Sequence, residues 1–215
     1  MLNHTNHAAV RACHHAQAGV TVVELMAVVA IVSILATIAV PSFVEYRERG
    51  LMRAASNEML SLLENARFEA IQRDRVVTAA FNVVDDEVWC VGVREGAAAC
   101  DCTQTDRRDA TFCALGQWPP LDPNSSDDGE TQIRAALRGV TMAEDPDFGG
   151  TAFFSFDPKL GTLTDPVRTG GLLMQSPTDS YAFQMRLRLS PLGRADICAR
   201  EHLGRIMWGY PECEA

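Results

Sequence analysis

Hydrophobic residues are nearly continuous from Val20 to Val40, where Glu24 is the one ionisable side chain. As a helix, that run would be about 31 Å long, enough to cross the hydrocarbon core of a bilayer. Its valines and isoleucines disfavour a helix in water. In lipid every backbone group must be satisfied within the segment, and that need overrides propensity. Ser33 and Thr37 can bond back to carbonyls of the preceding turn. Pro41 removes a backbone donor where the run ends and predicts a helix bend, and Gly50 is a second soft point.

Past Gly50 the period changes. Met52, Ala55, Met59, Leu62, Ala66 and Ala70 recur at spacings of three and four, with Arg53, Asn57, Glu58, Glu64 and Arg67 on the other face. This predicts an amphipathic helix that ends near Arg75 and packs its stripe on a globular core. Strand patterns follow. Residues 76–84 and 87–93 read as two strands around Asp85-Asp86, and 132–140, 151–156 and 161–167 are further candidates. The plainest alternation is at 181–189. There Tyr181, Phe183, Met185, Leu187 and Leu189 face one way, and Gln184, Arg186 and Arg188 the other. A turn at 190–193 leads into 194–200, and 204–210 reads as a short last strand. Residues 97–131 have little period and hold Trp118-Pro119-Pro120, so they read as a long loop. The predicted fold class is α+β, a long N-terminal helix packed on an antiparallel β-sheet domain. Its predicted parts are a leader (1–19), the membrane half of the helix (20–44), the amphipathic half (45–75) and a β-rich head (76–215).

Composition adds little to the fold but narrows the function. At 47% hydrophobic residues the chain is ordinary for a folded protein. Its formal net charge is −9; without Arg11 of the leader, 18 cations face 28 acids, a net of −10. An acidic domain is repelled by nucleic acid phosphates. Glu24 stands out more. A carboxylate in a bilayer costs roughly 2.5–3.5 kcal/mol on insertion scales and marks a functional residue that needs a partner.

Gly19 bounds the run on its N-terminal side, and Glu24 is the fifth residue after it. This arrangement resembles the N-terminus of type IV prepilins and pseudopilins. The stretch Ala66-Arg67-Phe68-Glu69-Ala70-Ile71 is similar to the second half of the long helix in the FimT/FimU minor pilin and GspH pseudopilin branch. The resemblance implies cleavage between Gly19 and Val20 by a prepilin peptidase, with methylation of the new Val20 amine. It implies that Glu24 pairs with the N-terminal amine of a neighbouring subunit and that Pro41 is the helix-bending proline. Val20 departs from the family, in which most members have phenylalanine at that position. The partners implied are the peptidase, other major and minor pilins or pseudopilins, and the bacterial inner membrane. The chain would span that membrane once, with a periplasmic head, before entering a filament or its tip. An ordinary secretory signal has its apolar core before the cleavage site; here the run follows it.

Cys13 lies in the leader, leaving Cys90, Cys100, Cys102, Cys113, Cys198 and Cys213. In an exported domain an even number of cysteines reads as disulfides. Cys198–Cys213 reads as a C-terminal clasp, with two bridges among the other four. The rival is a zinc site of Cys90, Cys100, Cys102 and Cys113, but a one-residue spacer is poor zinc geometry. Asn124-x-Ser126-x-Asp128-Gly129 partly resembles a calcium loop, yet its twelfth position is Ala135 where a glutamate is needed. No Gly-x-Ser-x-Gly, His-Glu-x-x-His or phosphate-binding glycine loop occurs, and beyond the leader His202 is the one histidine. The sequence therefore predicts no enzyme, no cofactor and no bound metal. Some FimT-type pilins implicated in DNA uptake carry Gly-Arg-x-Arg near the C-terminus. Here Gly193-Arg194-Ala195-Asp196 places an acid at the second arginine, leaving Arg194 as a weak DNA contact. The reading is a minor pilin of a pilus tip or initiation complex. The alternatives are a type II secretion minor pseudopilin and a DNA-uptake or adhesive tip-binding pilin.

Overall fold

The computed structural model describes residues 19–143, 153–165, 170–177 and 182–213. The chain divides into two compact units after Ser42. Helix α1 (Val22–Arg73) begins in the first and ends in the second.

In the first unit residues 19–40 are exposed throughout. Ser33 donates to the Val29 carbonyl at 2.8 Å and Thr37 to that of Ile34 at 2.7 Å, so both hydroxyls are satisfied within the helix. The backbone stays α-helical through position 41. Among the described residues α1 is the helix long and apolar enough to cross a membrane.

In the second unit α1 turns one face inward. Met52, Ala55, Ser56, Met59, Leu63, Ala66 and Ala70 are buried. The sequence reading placed Leu62 on this stripe. Leu63 takes the core position, and Leu62 is partly buried, near Gly116. A spacing of four from Met59 to Leu63 keeps the stripe in phase with 3.6 residues per turn. The helix ends in Asp74, at φ 52°. Arg75 N donates to Ala70 O and Asp74 N to Ile71 O. This is a Schellman cap with aspartate at the position glycine usually fills.

Two antiparallel sheets follow. The first has the order β3-β2-β1-β5, from β1 (Val77–Asp85), β2 (Val88–Glu95), β3 (Gly116–Trp118) and β5 (Phe153–Phe156). The second has the order β4-β6-β7-β8, from β4 (Thr141–Ala143), β6 (Gly170–Gln175), β7 (Gln184–Leu189) and β8 (Ala195–Arg200). Both sheets and α1 contribute to one core, with Phe81, Trp89, Phe154 and Phe156 from the first sheet and Leu172, Met174, Met185 and Leu187 from the second.

Four expectations are corrected. Residues 132–140 are not a strand: α2 (Gly129–Leu137) occupies most of that span. Asp128 caps it by accepting from Thr131 N at 2.8 Å, and Ile133 and Leu137, four apart, are its buried side. The loop at 97–131 therefore ends in a helix start and also contains β3. Residues 204–210 are not a strand: they hold turns at 203–204 and 208–209 and make a single isolated bridge, Arg205 to His202. In the predicted strand 161–167, Leu163 makes a single bridge to Phe156, and 166–167 lie outside the described residues. Tyr181 and residues 151–152 also lie outside them. Strand β6 carried no signal, because Leu172, Leu173 and Met174 are all buried in succession and leave no alternation to detect.

The cysteines pair as Cys90–Cys102, Cys100–Cys113 and Cys198–Cys213. Gly92, on β2, makes room for the second bridge: a Cβ there would stand 2.0 Å from Cys113 Sγ and 2.9 Å from Cys100 Sγ. Glu48, by contrast, is an energetic liability. It is fully buried, and among the described residues neither carboxylate oxygen has a hydrogen-bond partner.

Two outcomes follow from this packing. Glu48→Met should stabilise the protein by about 1–3 kcal/mol, the cost of an unsatisfied buried polar group. Chemical denaturation would read it as a higher midpoint at unchanged slope; a lower midpoint would mean that Glu48 has a partner in solution. Gly92→Ala should cost about 1–3 kcal/mol through overpacking and leave Cys100 and Cys113 reactive in thiol-trapping mass spectrometry, while Cys198 and Cys213 stay bridged.

Candidate assembly site

The N-terminus of α1 is built by a short reciprocal pattern. Thr21 is its cap: Thr21 Oγ1 accepts from Glu24 N at 3.2 Å, and Glu24 Oε2 accepts from Thr21 N at 3.4 Å. This is a capping box, in which threonine and a glutamate three residues on satisfy two orphan backbone donors. The sequence reading singled out Glu24 but missed Thr21, although Thr-x-x-Glu ahead of an apolar run is a readable signal. Both bonds are at the long end for their type, so the carboxylate is only loosely held. Val20 and Gly19 are exposed, and among the described residues nothing lies within 4 Å of a Cβ built on Gly19. The side chain of Pro41 is not among those described.

The candidate sites of the head lie apart from these residues. Cys90, Cys100, Cys102 and Cys113 form crossed bridges on the first sheet, each sulfur being taken by another. Cys198 of β8 clasps Cys213. Among the described residues no cluster of histidine, cysteine and carboxylates could hold a metal ion. Asp128 of the calcium-like stretch is occupied as a helix cap. Hydrogen bonds from the side chain and backbone of Thr131 hold its carboxyl below the usual range.

Arg194 is exposed on the turn between β7 and β8, but Asp196, two residues on, is already committed. Asp196 accepts from Arg188 Nη2 at 2.8 Å and from Nε at 3.1 Å across the strand pair. The acid thus also ties up one arginine of the local basic patch. The turn has a structural duty as well. Gly193 has φ 72°, and a Cβ there would lie 2.2 Å from the Gly161 carbonyl oxygen. That same oxygen accepts from Arg67 Nε at 2.9 Å. Arg67, central to the Ala-Arg-x-Glu-Ala-Ile stretch, thereby ties α1 to the 157–161 turn, a role invisible from spacing.

Two family models match this chain. One, "Prokaryotic N-terminal methylation motif", covers residues 14–40. The other, "Type II transport protein GspH", covers residues 55–193, more than half of the sequence. The chain belongs to the GspH family. Among solved structures, the type IV minor pilin FimU of Pseudomonas aeruginosa matches in two crystal forms. The first has 19% identity and TM-score 0.43, over 75% of this chain and 96% of that one. The second has 18% identity and TM-score 0.40, over 72% and 95%. No curated relative matches the sequence. This GspH-family chain is a membrane-anchored, pilin-type subunit with a long N-terminal helix on antiparallel sheets. Membership implies processing by prepilin peptidase at the methylation motif and assembly with other pilins.

The Arg188–Asp196 pair yields a direct test on DNA. The wild-type protein should bind duplex DNA weakly at physiological salt. Asp196→Ala should tighten binding and, for each phosphate the freed Arg188 neutralises, steepen the dependence of log K on log salt by about 0.9. Submicromolar, salt-sensitive binding by the wild type, read by fluorescence anisotropy, would instead make Arg194 and its neighbours a DNA site.

Proposed function

We propose that this chain is a minor type IV pilin, a structural subunit of the pilus tip or of the complex that initiates the filament. Prepilin peptidase cuts between Gly19 and Val20 and methylates the new amine. The chain spans the inner membrane once, and its head stays in the periplasm until assembly. The observation that carries this reading is Glu24, a carboxylate at the start of an exposed apolar helix and five residues past the cleavage point.

The physical argument begins with the cut. It creates an ammonium at Val20, beside the positive end of the α1 macrodipole, where a cation is disfavoured. Glu24 of a neighbouring subunit can neutralise it. Two charges that would each be unpaired in an apolar filament core then become one satisfied pair, and lateral register is coupled to assembly. Before assembly Glu24 is retained by the Thr21 box, whose long hydrogen bonds are readily exchanged for an ionic partner. Pro41, which cannot donate a backbone hydrogen bond, allows the helix to bend as the subunit leaves the membrane.

A second reading is a minor pseudopilin of type II secretion, favoured by the match to the type II transport GspH family. It shares the anchor and the chemistry of Glu24. Deleting the gene and scoring surface pili beside protein secretion separates the two: loss of pili with normal secretion supports the pilus, and the reverse supports the pseudopilin.

The processed protein should carry an N-methylated Val20 in intact-mass and N-terminal peptide spectra, and an intact leader in pilus-competent cells would sink the prepilin assignment. Glu24→Ala should insert into the membrane at least as well as wild type, since it removes roughly 2.5–3.5 kcal/mol of insertion cost. It should nevertheless be depleted from sheared filaments, with Glu24→Gln intermediate. Wild-type incorporation of Glu24→Ala would reject the pairing role.

A further inference from the structure

Four large apolar side chains are exposed together where α1 ends. Phe68 is 62% and Ile71 45% exposed, on the last two turns of the helix, and Leu160 is 70% and Leu192 64% exposed. Phe68 and Ile71, three apart, are neighbours on the helix surface. Close contacts bring the two leucines to the same place. A Cβ built on Gly161, next to Leu160, would stand 2.8 Å from Ile71 Cδ1. One built on Gly193, next to Leu192, would stand 2.2 Å from the Gly161 carbonyl oxygen, which Arg67 Nε also reaches. Helix α1, the 157–161 turn and the 190–193 turn thus meet at Gly161, all within the second unit. Exposed apolar residues scattered singly are normal, but four drawn from three segments to one point make a patch, and patches mark contacts.

Both turns are held from within. Asp157 Oδ1 accepts from Lys159 N at 2.9 Å and from Leu160 N at 3.0 Å, and Gly161 N donates to Asp157 O at 2.9 Å. Gly193 N donates to Ser190 O at 2.9 Å, and Leu163 N donates to Pro191 O at 3.1 Å, which joins the two loops. The leucines are carried on an ordered backbone, so little loop entropy remains to be lost when something covers them.

Charge says what covers the patch. Lys159, the chain's single lysine, and Arg194 flank the leucines and are exposed. Among the described residues neither has an ion pair. The acid of these turns, Asp157, is bound to backbone donors. A cationic edge here runs against the chain's net charge of −9. The partner must therefore be apolar at its centre and acidic around it. Duplex DNA supplies phosphates but offers little to four apolar side chains. A folded protein surface with carboxylates around an apolar residue supplies both. Two copies of this chain cannot meet patch to patch, because Lys159 and Arg194 would then face like charges.

We propose that Phe68, Ile71, Leu160 and Leu192, edged by Lys159 and Arg194, are the docking surface for an acidic neighbour. That neighbour is a different pilin-type subunit, which covers the patch in the filament or in the complex that initiates it. The apolar residues supply the buried area, and the two cations select and orient the partner. The inference rests on the minor-pilin reading.

The test places the photo-crosslinking residue p-benzoylphenylalanine at Leu160 or at Leu192 of the full chain, in cells that assemble the filament. Leu203, also 70% exposed, is the control position outside the patch. Irradiation should join both patch positions, and not position 203, to another subunit with an N-methylated terminus, and tandem mass spectrometry should place the link beside aspartate or glutamate. Lys159→Glu together with Arg194→Glu should abolish the link while the melting temperature of the purified protein stays unchanged. Lysine in place of the partner's nearest acids should restore it. A link that survives the double reversal, or that is not restored, overturns the role of the cations. Equal linking from position 203 overturns the patch as a specific surface. A link to a second copy of this chain overturns the choice of a different subunit, and a nuclease-sensitive adduct assigns the patch to DNA instead. No link from protein that is processed and present in sheared filaments overturns the docking surface and leaves the minor-pilin reading intact. Processed protein that never enters filaments, with pili unchanged when its gene is deleted, overturns that reading.

Discussion

Met52, Ala55, Met59, Leu63, Ala66 and Ala70 make one side of α1 a wall of the core, and both sheets contribute side chains to that core. The head depends on this contact. Small residues at Ala55, Ser56, Ala66 and Ala70 let backbones approach, and the two methionines fill the irregular space between them. Ser56 shows the cost of polarity here and its remedy: its hydroxyl donates to the Met52 carbonyl at 2.7 Å. At the far end, Arg67 bonds the Gly161 carbonyl, and the Schellman cap at Asp74 turns the chain into β1. The same helix begins with residues that are exposed on all sides. It therefore meets two solvents, and its sequence changes from uniformly apolar to amphipathic where they change.

The disulfides belong to the weakly periodic parts of the chain. The loop from 97 to 128 has few strand bonds of its own, and two crossed bridges tie it to β2 and to itself. The third bridge closes the C-terminal loop over 15 residues, a span for which chain-entropy models give about 3 kcal/mol of stabilisation. An oxidising compartment makes this strategy available. It also allows an acidic chain to hold long loops without a larger core.

Charge in the head is settled locally. Arg134 of α2 reaches both Asp85 and Glu87 at the β1–β2 turn, and Arg188 is held by Asp196 across β7 and β8. Such exposed pairs contribute little stability individually. They also occupy Arg134 and Arg188 with carboxylates of the chain itself.

Much of this protein was legible from its residues alone. The membrane-length run and the lone carboxylate Glu24 near its start follow from local chemistry that needs no folded context, while the cleavage boundary is what the family resemblance implies. The amphipathic stripe and the alternation of β7 are legible because each has one face in water and one in the core, whereas the β1–β2 hairpin, buried in succession over much of both strands, is legible from its β-type runs around the Asp85-Asp86 turn. The family resemblance drew on those same stretches. What the tertiary structure decided lies where that asymmetry fails. Strand β6 is buried in succession and has no period, and α2 is short enough that its two core residues resembled a strand. The pairing among Cys90, Cys100, Cys102 and Cys113 depended on which loops the sheet brought together. The roles of Arg67 and Asp196 likewise arise from residues distant in the chain, which only folding makes neighbours.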